Sequence, residues 1–252
     1  MAFPVVPYSS RNERALVLFG LAAVVVAGFY ATWSLGDGVM MATMSGERGL
    51  AYAALLFAMW WTMMMAMMLP SAAPAVMTFS GVTQKLAKNE SRGLALIGFV
   101  AGYLLVWTGF SAVAVGMQML LENKIALDMM MATASAWVGS GLLILAGLYQ
   151  MTPAKEACLH KCQAPLFYFA RHWQSGPAGA LRMGLSHGLY CLGCCWALMG
   201  LLFYGGVMQP RWIIGLALYV AAEKLIPAGN AVSRFSGLIL VGWGIWNAWP
   251  AA

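Results

Sequence analysis

The sequence predicts an all-α, polytopic membrane helix bundle of about seven transmembrane helices. Three observations carry that prediction. Hydrophobic residues make up 62% of the 252 positions and charged residues 9%, with a mean hydropathy of +0.77, well above that of soluble domains. The apolar residues come in continuous runs of span length, not in the period-two alternation of a membrane β-barrel. The basic residues fall between the runs and are biased to one side.

Taken in order, the first run, about 15–35, exceeds the apolar core of a signal peptide and no small-residue cleavage site follows it, so it reads as a retained helix. Runs at about 50–69, 93–121, 129–152 and 180–208 each reach the roughly 20 residues that cross a hydrocarbon core of about 30 Å. The sixth, 211–227, is apolar except for Glu223 and Lys224 near its end, and the seventh, 233–250, is short but rich in interfacial aromatics. Between the fourth and fifth runs lies the one sizeable polar connection, 153–178. Its Leu159, Cys162, Leu166, Phe169 and Trp173 recur at spacings of three and four, which predicts a cytoplasmic amphipathic helix bounded by Pro153 and Gly176-Pro177. Lys155, Lys161 and Arg171 are then expected to face the anionic leaflet. No internal repeat or second domain is visible, so residues 1–252 read as a single transmembrane domain.

The net charge of +6 is dispersed among the connections, which argues against a nucleic-acid partner and reports topology instead. With the N-terminus in the cytoplasm, Arg11, Arg14, Lys85, Lys88, Arg92, Lys155, Lys161, Arg171, Arg182, Lys224 and Arg234 fall inside. Only Arg48, Lys124 and Arg211 fall outside. This orientation makes the C-terminus external.

The candidate chemistry sits in "SHGLYCLGCCW". All five cysteines (Cys158, Cys162, Cys191, Cys194 and Cys195) and all three histidines (His160, His172 and His187) lie within residues 158–195. A single cysteine in an apolar helix packs by default as a small hydrophobe, but packing does not require this clustering. At 100° per residue His187, Cys191 and Cys194 share an arc of about 60°, with Cys195 slightly to one side. A charged imidazole or thiolate in hydrocarbon is costly, and a soft cation removes that conflict. Thiolate, thioether and imidazole together favour copper(I), or alternatively zinc, over the oxygen-seeking magnesium and calcium. A second pair, Cys158 and Cys162, sits at i and i+4 in "KEACLHKC".

"MWWTMMMAMMLPSAAP" adds Met64, Met67 and Met68 as thioether candidates, with adaptable packing as the alternative role of methionine. At 1.5 Å per residue, Met63 and Met64 lie about 20 Å in from the outer end of their helix, a level that His187 and Glu223 also reach from their own ends. Pro70 and Pro74 are expected to end or kink that helix just below the methionines. Glu223 is expected to orient His187 or to supply an oxygen ligand, while Lys224 reaches the cytoplasmic surface. Gln150 is a further polar candidate.

The segments "WWTMMMAMMLPSAAP", "GLYQMTPAKEACLHKC", "GALRMGLSHGLYCLGCCWALM" and "YVAAEKLIPAG" resemble, in order and over about residues 57–229, an uncharacterised bacterial family of predicted metal-binding integral membrane proteins. The resemblance points to Met64, Met67, Met68, Cys158, Cys162, His187, Cys191, Cys194, Cys195, Glu223 and Lys224. The chain departs from the family pattern at Gln163, where a typical member carries arginine.

The resulting expectation is a protein of the bacterial inner membrane that binds copper for transport, delivery or insertion into a partner. That partner is expected to be a metallochaperone or a membrane metalloenzyme complex. A membrane thiol-disulfide oxidoreductase is the alternative, and a structural or accessory subunit of a larger complex is the third reading. No nucleotide-binding loop and no protease or kinase motif is present, so a handling role is expected before an enzymatic one.

Overall fold

The computed structural model describes residues 11–46, 48–86, 92–124, 132–133 and 135–249, and every element within them is helical. The order is α1 (Arg11–Met44), α2 (Leu50–Leu86), α3 (Arg92–Lys124), α4 (Ala136–Gln150), α5 (Pro153–Gln163), α6 (Pro165–Arg171), α7 (Gly176–Gly200), α8 (Leu202–Gly205), α9 (Pro210–Leu225) and α10 (Gly229–Ala248). Among the described residues, four stretches are long and apolar enough to cross a membrane: Phe19–Met44, Leu50–Gln84, Gly93–Glu122 and Gly176–Gly205. The prediction of an all-α bundle holds, and these four correspond to the first, second, third and fifth predicted runs.

Several boundaries differ from those expected. The second helix does not end at Pro70 or Pro74 but continues through both to Leu86. A proline removes one backbone donor, and neighbouring helices and hydroxyls make that tolerable in apolar surroundings. Between the prolines and the methionines, Ser71 Oγ and Tyr103 Oη both donate to the Met68 carbonyl, at 2.9 and 3.1 Å. The fourth helix begins only at Ala136, which leaves 15 residues, or about 22 Å at 1.5 Å per residue. Positions 129–131 of that predicted run, and Lys88 among the basic residues, lie outside the described residues. The fifth helix stops at Gly200 and is followed by the short α8 and by Gly206, whose φ of 95° is one that a side chain strongly disfavours.

The connection 153–178 departs most from expectation. It forms two helices, α5 and α6, not one, because Pro165 can neither continue the hydrogen-bond ladder nor let Ala164 stay helical. Thr152 caps α5 by accepting from the Lys155 amide, and Pro153 occupies its first turn. Of the three cations expected to face outward, Lys161 and Arg171 are exposed but Lys155 is not. α5 packs on α7, and α6 on α2. Lys155 is 1% exposed, while Leu159 and Phe169 are fully buried.

The most extensive packing is between α3 and α7, and it depends on glycine. A Cβ at Gly184 would collide with the carbonyl oxygen of Phe99, and one at Gly102 with that of Leu181, so the two backbones meet directly along this seam. Close backbone approach at this seam puts the inner faces of α3 and α7 side by side. α4 packs mainly on α10, and α1 on α2.

Candidate metal centre

Helix α7 carries four of the candidate donors. Its residues His187, Cys191, Cys194 and Cys195 are all buried, at 3% exposure or less. The Cys194 and Cys195 thiols turn back along the helix to the Cys191 carbonyl, at 3.1 and 2.9 Å. Cys195 Sγ also lies 3.9 Å from the sulfur of Met68 on α2. Met64 and Met67 are fully buried in the same apolar cluster.

Around Cys191 the groups are polar. Lys224 Nζ, from α9, approaches Cys191 Sγ at 2.9 Å and Ser71 Oγ at 3.1 Å, and Tyr103 Oη lies 3.1 Å from the same sulfur. Lys224 is only 5% exposed, so it does not reach the surface as expected. A buried ammonium needs an anion or strong acceptors beside it, and the Cys191 sulfur is the group placed to supply one.

His187 sits on the other side of Tyr103. Its ring centroid is 5.9 Å from Phe99, 6.1 Å from Tyr103 and 6.1 Å from Phe169. Its Nδ1 is buried without a hydrogen-bond partner, which is uncommon for a buried ring nitrogen. Glu223 does not orient it. The Glu223 carboxylate accepts from Lys155 Nζ at 2.7 and 2.9 Å, from Gln150 Nε2 at 2.9 Å and from Tyr219 Oη at 2.5 Å. Adjacent residues on a helix point about 100° apart. Glu223 therefore faces α4 and α5 while Lys224 faces α2 and α7. Gln150 belongs to the Glu223 network, and its side-chain carbonyl accepts from Lys155.

The cysteines that the sequence separates into two groups are brought into one. On α5, the Cys158 sulfur lies over Gly193 of α7, where a Cβ would stand 2.8 Å from it. Cys162, on the same helix, packs against the apolar cluster that contains Cys191, Cys194 and Cys195. Both α5 cysteines are half-buried, and all five cysteines are free thiols. Burial, the nearby Cys194 and, in opposition, the Lys161 cation set Cys158, with a net upward push on its thiol. Interaction with Cys194, reinforced by burial, holds Cys162 well above the ordinary thiol range. Both are thus kept protonated in the absence of a metal.

Five thiols, the Met68 thioether and the unpartnered His187 nitrogen are donors of the soft kind that copper(I) prefers and an oxygen-seeking ion does not. No three His, Cys, Asp or Glu side chains among the described residues stand close enough together to enclose an ion. Lys224 occupies the space beside Cys191, and two thiols are turned to a carbonyl. Tyr103, Lys155, Ser71 and Tyr219 did not stand out in the sequence, because their roles come from contacts with distant segments. A lysine three residues after a helix-capping threonine looks like any solvated first-turn residue.

The family comparison agrees with this chemistry. Nothing among curated proteins and nothing among solved structures matches the chain. The model of the PpoB2 family, described as copper chaperone, matches residues 57–247. That match takes in most of the methionine helix, both cysteine groups and the Glu223–Lys224 pair, and its description names copper, the first of the two metals expected. The chain belongs to the copper chaperone family.

Proposed function

We propose that this protein is a copper(I) handler of a bacterial cytoplasmic membrane, a single transmembrane domain crossing the bilayer seven times with its N-terminus inside and its C-terminus outside. Copper(I) is held by Cys191, Cys194, Cys195 and Met68, with His187 as a further ligand and Met64 and Met67 in support. It passes to or from Cys158 and Cys162 on α5. The observation that carries this reading is the seating of the Cys158 sulfur of α5 over Gly193 of α7, the residue next to Cys194, because ligand exchange between two sites needs donors of both close together. The half-buried α5 pair is the port, and an acceptor metallochaperone or membrane metalloenzyme complex docks there. Glu223 fastens α5 in place through Lys155 and does not touch the ion.

Metal analysis of the detergent-purified chain, with thiol counting under anaerobic conditions, tests the reading. Stoichiometric copper with all five thiols free after its removal supports it. A metal-free chain that takes up no copper(I) would overturn it. The orientation has its own test. The bias of basic residues predicts that a reporter fused after Ala252 is active outside the cytoplasm and one inserted near Ser175 is active inside it. The reverse pattern would place Cys158 and Cys162 on the external side and sink the topology.

A further inference from the structure

One buried cation has no part in the handling of copper described so far. Lys224, on α9, is 5% exposed, and its Nζ donates to Cys191 Sγ of α7 at 2.9 Å and to Ser71 Oγ of α2 at 3.1 Å. Both acceptors are themselves held. Ser71 Oγ is bonded to the Met68 carbonyl at 2.9 Å, and Tyr103 Oη lies 3.1 Å from the Cys191 sulfur and 3.1 Å from that same carbonyl. No carboxylate among the described residues forms an ion pair with Lys224. The adjacent Glu223 faces the other way and accepts from Lys155, Gln150 and Tyr219. An ammonium moved out of this position would lose its acceptors and meet no other anion, and a buried charge without partners is costly. The positive charge is therefore fixed beside Cys191.

Resting on the copper reading above, we propose that Lys224 sets the charge selectivity of the centre, admitting a monovalent soft ion and discriminating against a divalent one. An ion bound through the Cys191 sulfur has the Lys224 ammonium as its neighbour across that sulfur. Coulomb repulsion is proportional to the product of the two charges, so a divalent ion is opposed twice as strongly as a monovalent one. In water and salt, screening removes most of that difference. Cys191, Ser71 and Tyr103 are 2%, 7% and 2% exposed, and in such low-dielectric surroundings the difference persists. Softness alone does not separate the two ions, because thiolate sulfur is also a good ligand for zinc. The fixed charge supplies the missing preference, for copper(I) over zinc(II) at the same sulfurs. Lys224 does not bind the ion and acts on it through space.

The test uses the full-length, reduced, detergent-purified protein, titrated anaerobically with copper(I) and separately with zinc(II) against competing chelators. Lys224→Gln removes the charge and keeps an N–H donor for Cys191 and Ser71. It should raise the affinity for zinc(II) relative to that for copper(I) by about tenfold or more. Lys224→Arg keeps the charge and should leave the ratio close to that of the wild type. A purely structural role would lower both affinities together. An unchanged ratio in Lys224→Gln, or a Lys224→Arg chain that behaves like Lys224→Gln, would overturn the proposal. The wild-type chain supplies a measurement that depends on the folding of no variant. Silver(I) and cadmium(II) are both soft and differ in charge, so silver(I) should be bound in preference, and the reverse preference would also overturn the proposal. Loading with copper(I) separates this proposal from the reading it rests on. A wild-type chain that binds copper(I), with the ratio unchanged in Lys224→Gln, removes the charge selectivity alone. One that binds no copper(I) removes the handling reading, and the selectivity with it.

Discussion

A chain in which Cys191 and Cys194 are both replaced by serine is expected to bind copper(I) at least about a hundredfold more weakly than the wild type, a loss at or beyond the upper end of the roughly 10–100-fold typical of groups that only orient a ligand. Serine keeps the size of cysteine, and its hydroxyl still accepts from Lys224, so the buried ammonium is not left without a partner. What disappears is soft-donor character at two of the three α7 thiols, and oxygen competes poorly for copper(I). Met68→Leu should have a smaller effect. A thioether is a neutral ligand, and leucine preserves the packing between α2 and α7. Competition with a copper(I) chelator under anaerobic conditions, on variants shown to be monodisperse, measures both. Equal affinity in the double variant and the wild type would remove these cysteines from the centre.

Glu223→Ala is expected to destabilise the folded chain by about 3–5 kcal/mol, the cost of leaving a buried charge without its partner. The Lys155 and Glu223 side chains are 1% and 2% exposed, so water cannot take over the role of the lost carboxylate. The damage should be localised. α5 has few buried residues of its own, Lys155 and Leu159, and without the ion pair to α9 its hold on the bundle is mainly Leu159, the two cysteines and Gln163, which donates to the Glu223 carbonyl. Thiol-reactive labelling of Cys158 and Cys162 should therefore accelerate together with the loss in thermal stability. Replacing Lys155 and Glu223 together by methionine should restore most of the stability, because an apolar pair leaves no buried charge behind. A Glu223→Ala chain that melts like the wild type and labels no faster would show that the ion pair does not seat α5. The exposed Glu156–Arg234 pair, at 2.8 Å, is not expected to matter comparably, since water and salt screen it.

How far the sequence reaches can be followed through these residues. The all-α class and the four long apolar helices were legible because span length and hydropathy are local properties, summed over about 20 neighbouring positions. The concentration of candidate donors was legible too, since five cysteines and three histidines confined to 158–195 are conspicuous against an apolar background. The sharing of one helix by His187, Cys191, Cys194 and Cys195 follows from spacing alone. The predicted partners of the charged residues were different. Lys155 reads as a leaflet-facing cation but ends buried against Glu223, 68 residues away. Lys224 reads as a snorkelling side chain but ends against Cys191, 33 residues back. The two cysteine groups read as separate sites but meet because α5 folds onto α7. Hydropathy sets how much a helix buries, and periodicity sets which residues share its face. Neither says which distant helix that face will meet, and for a buried charge or thiol that neighbour determines whether it is an ion pair, a ligand or a redox partner.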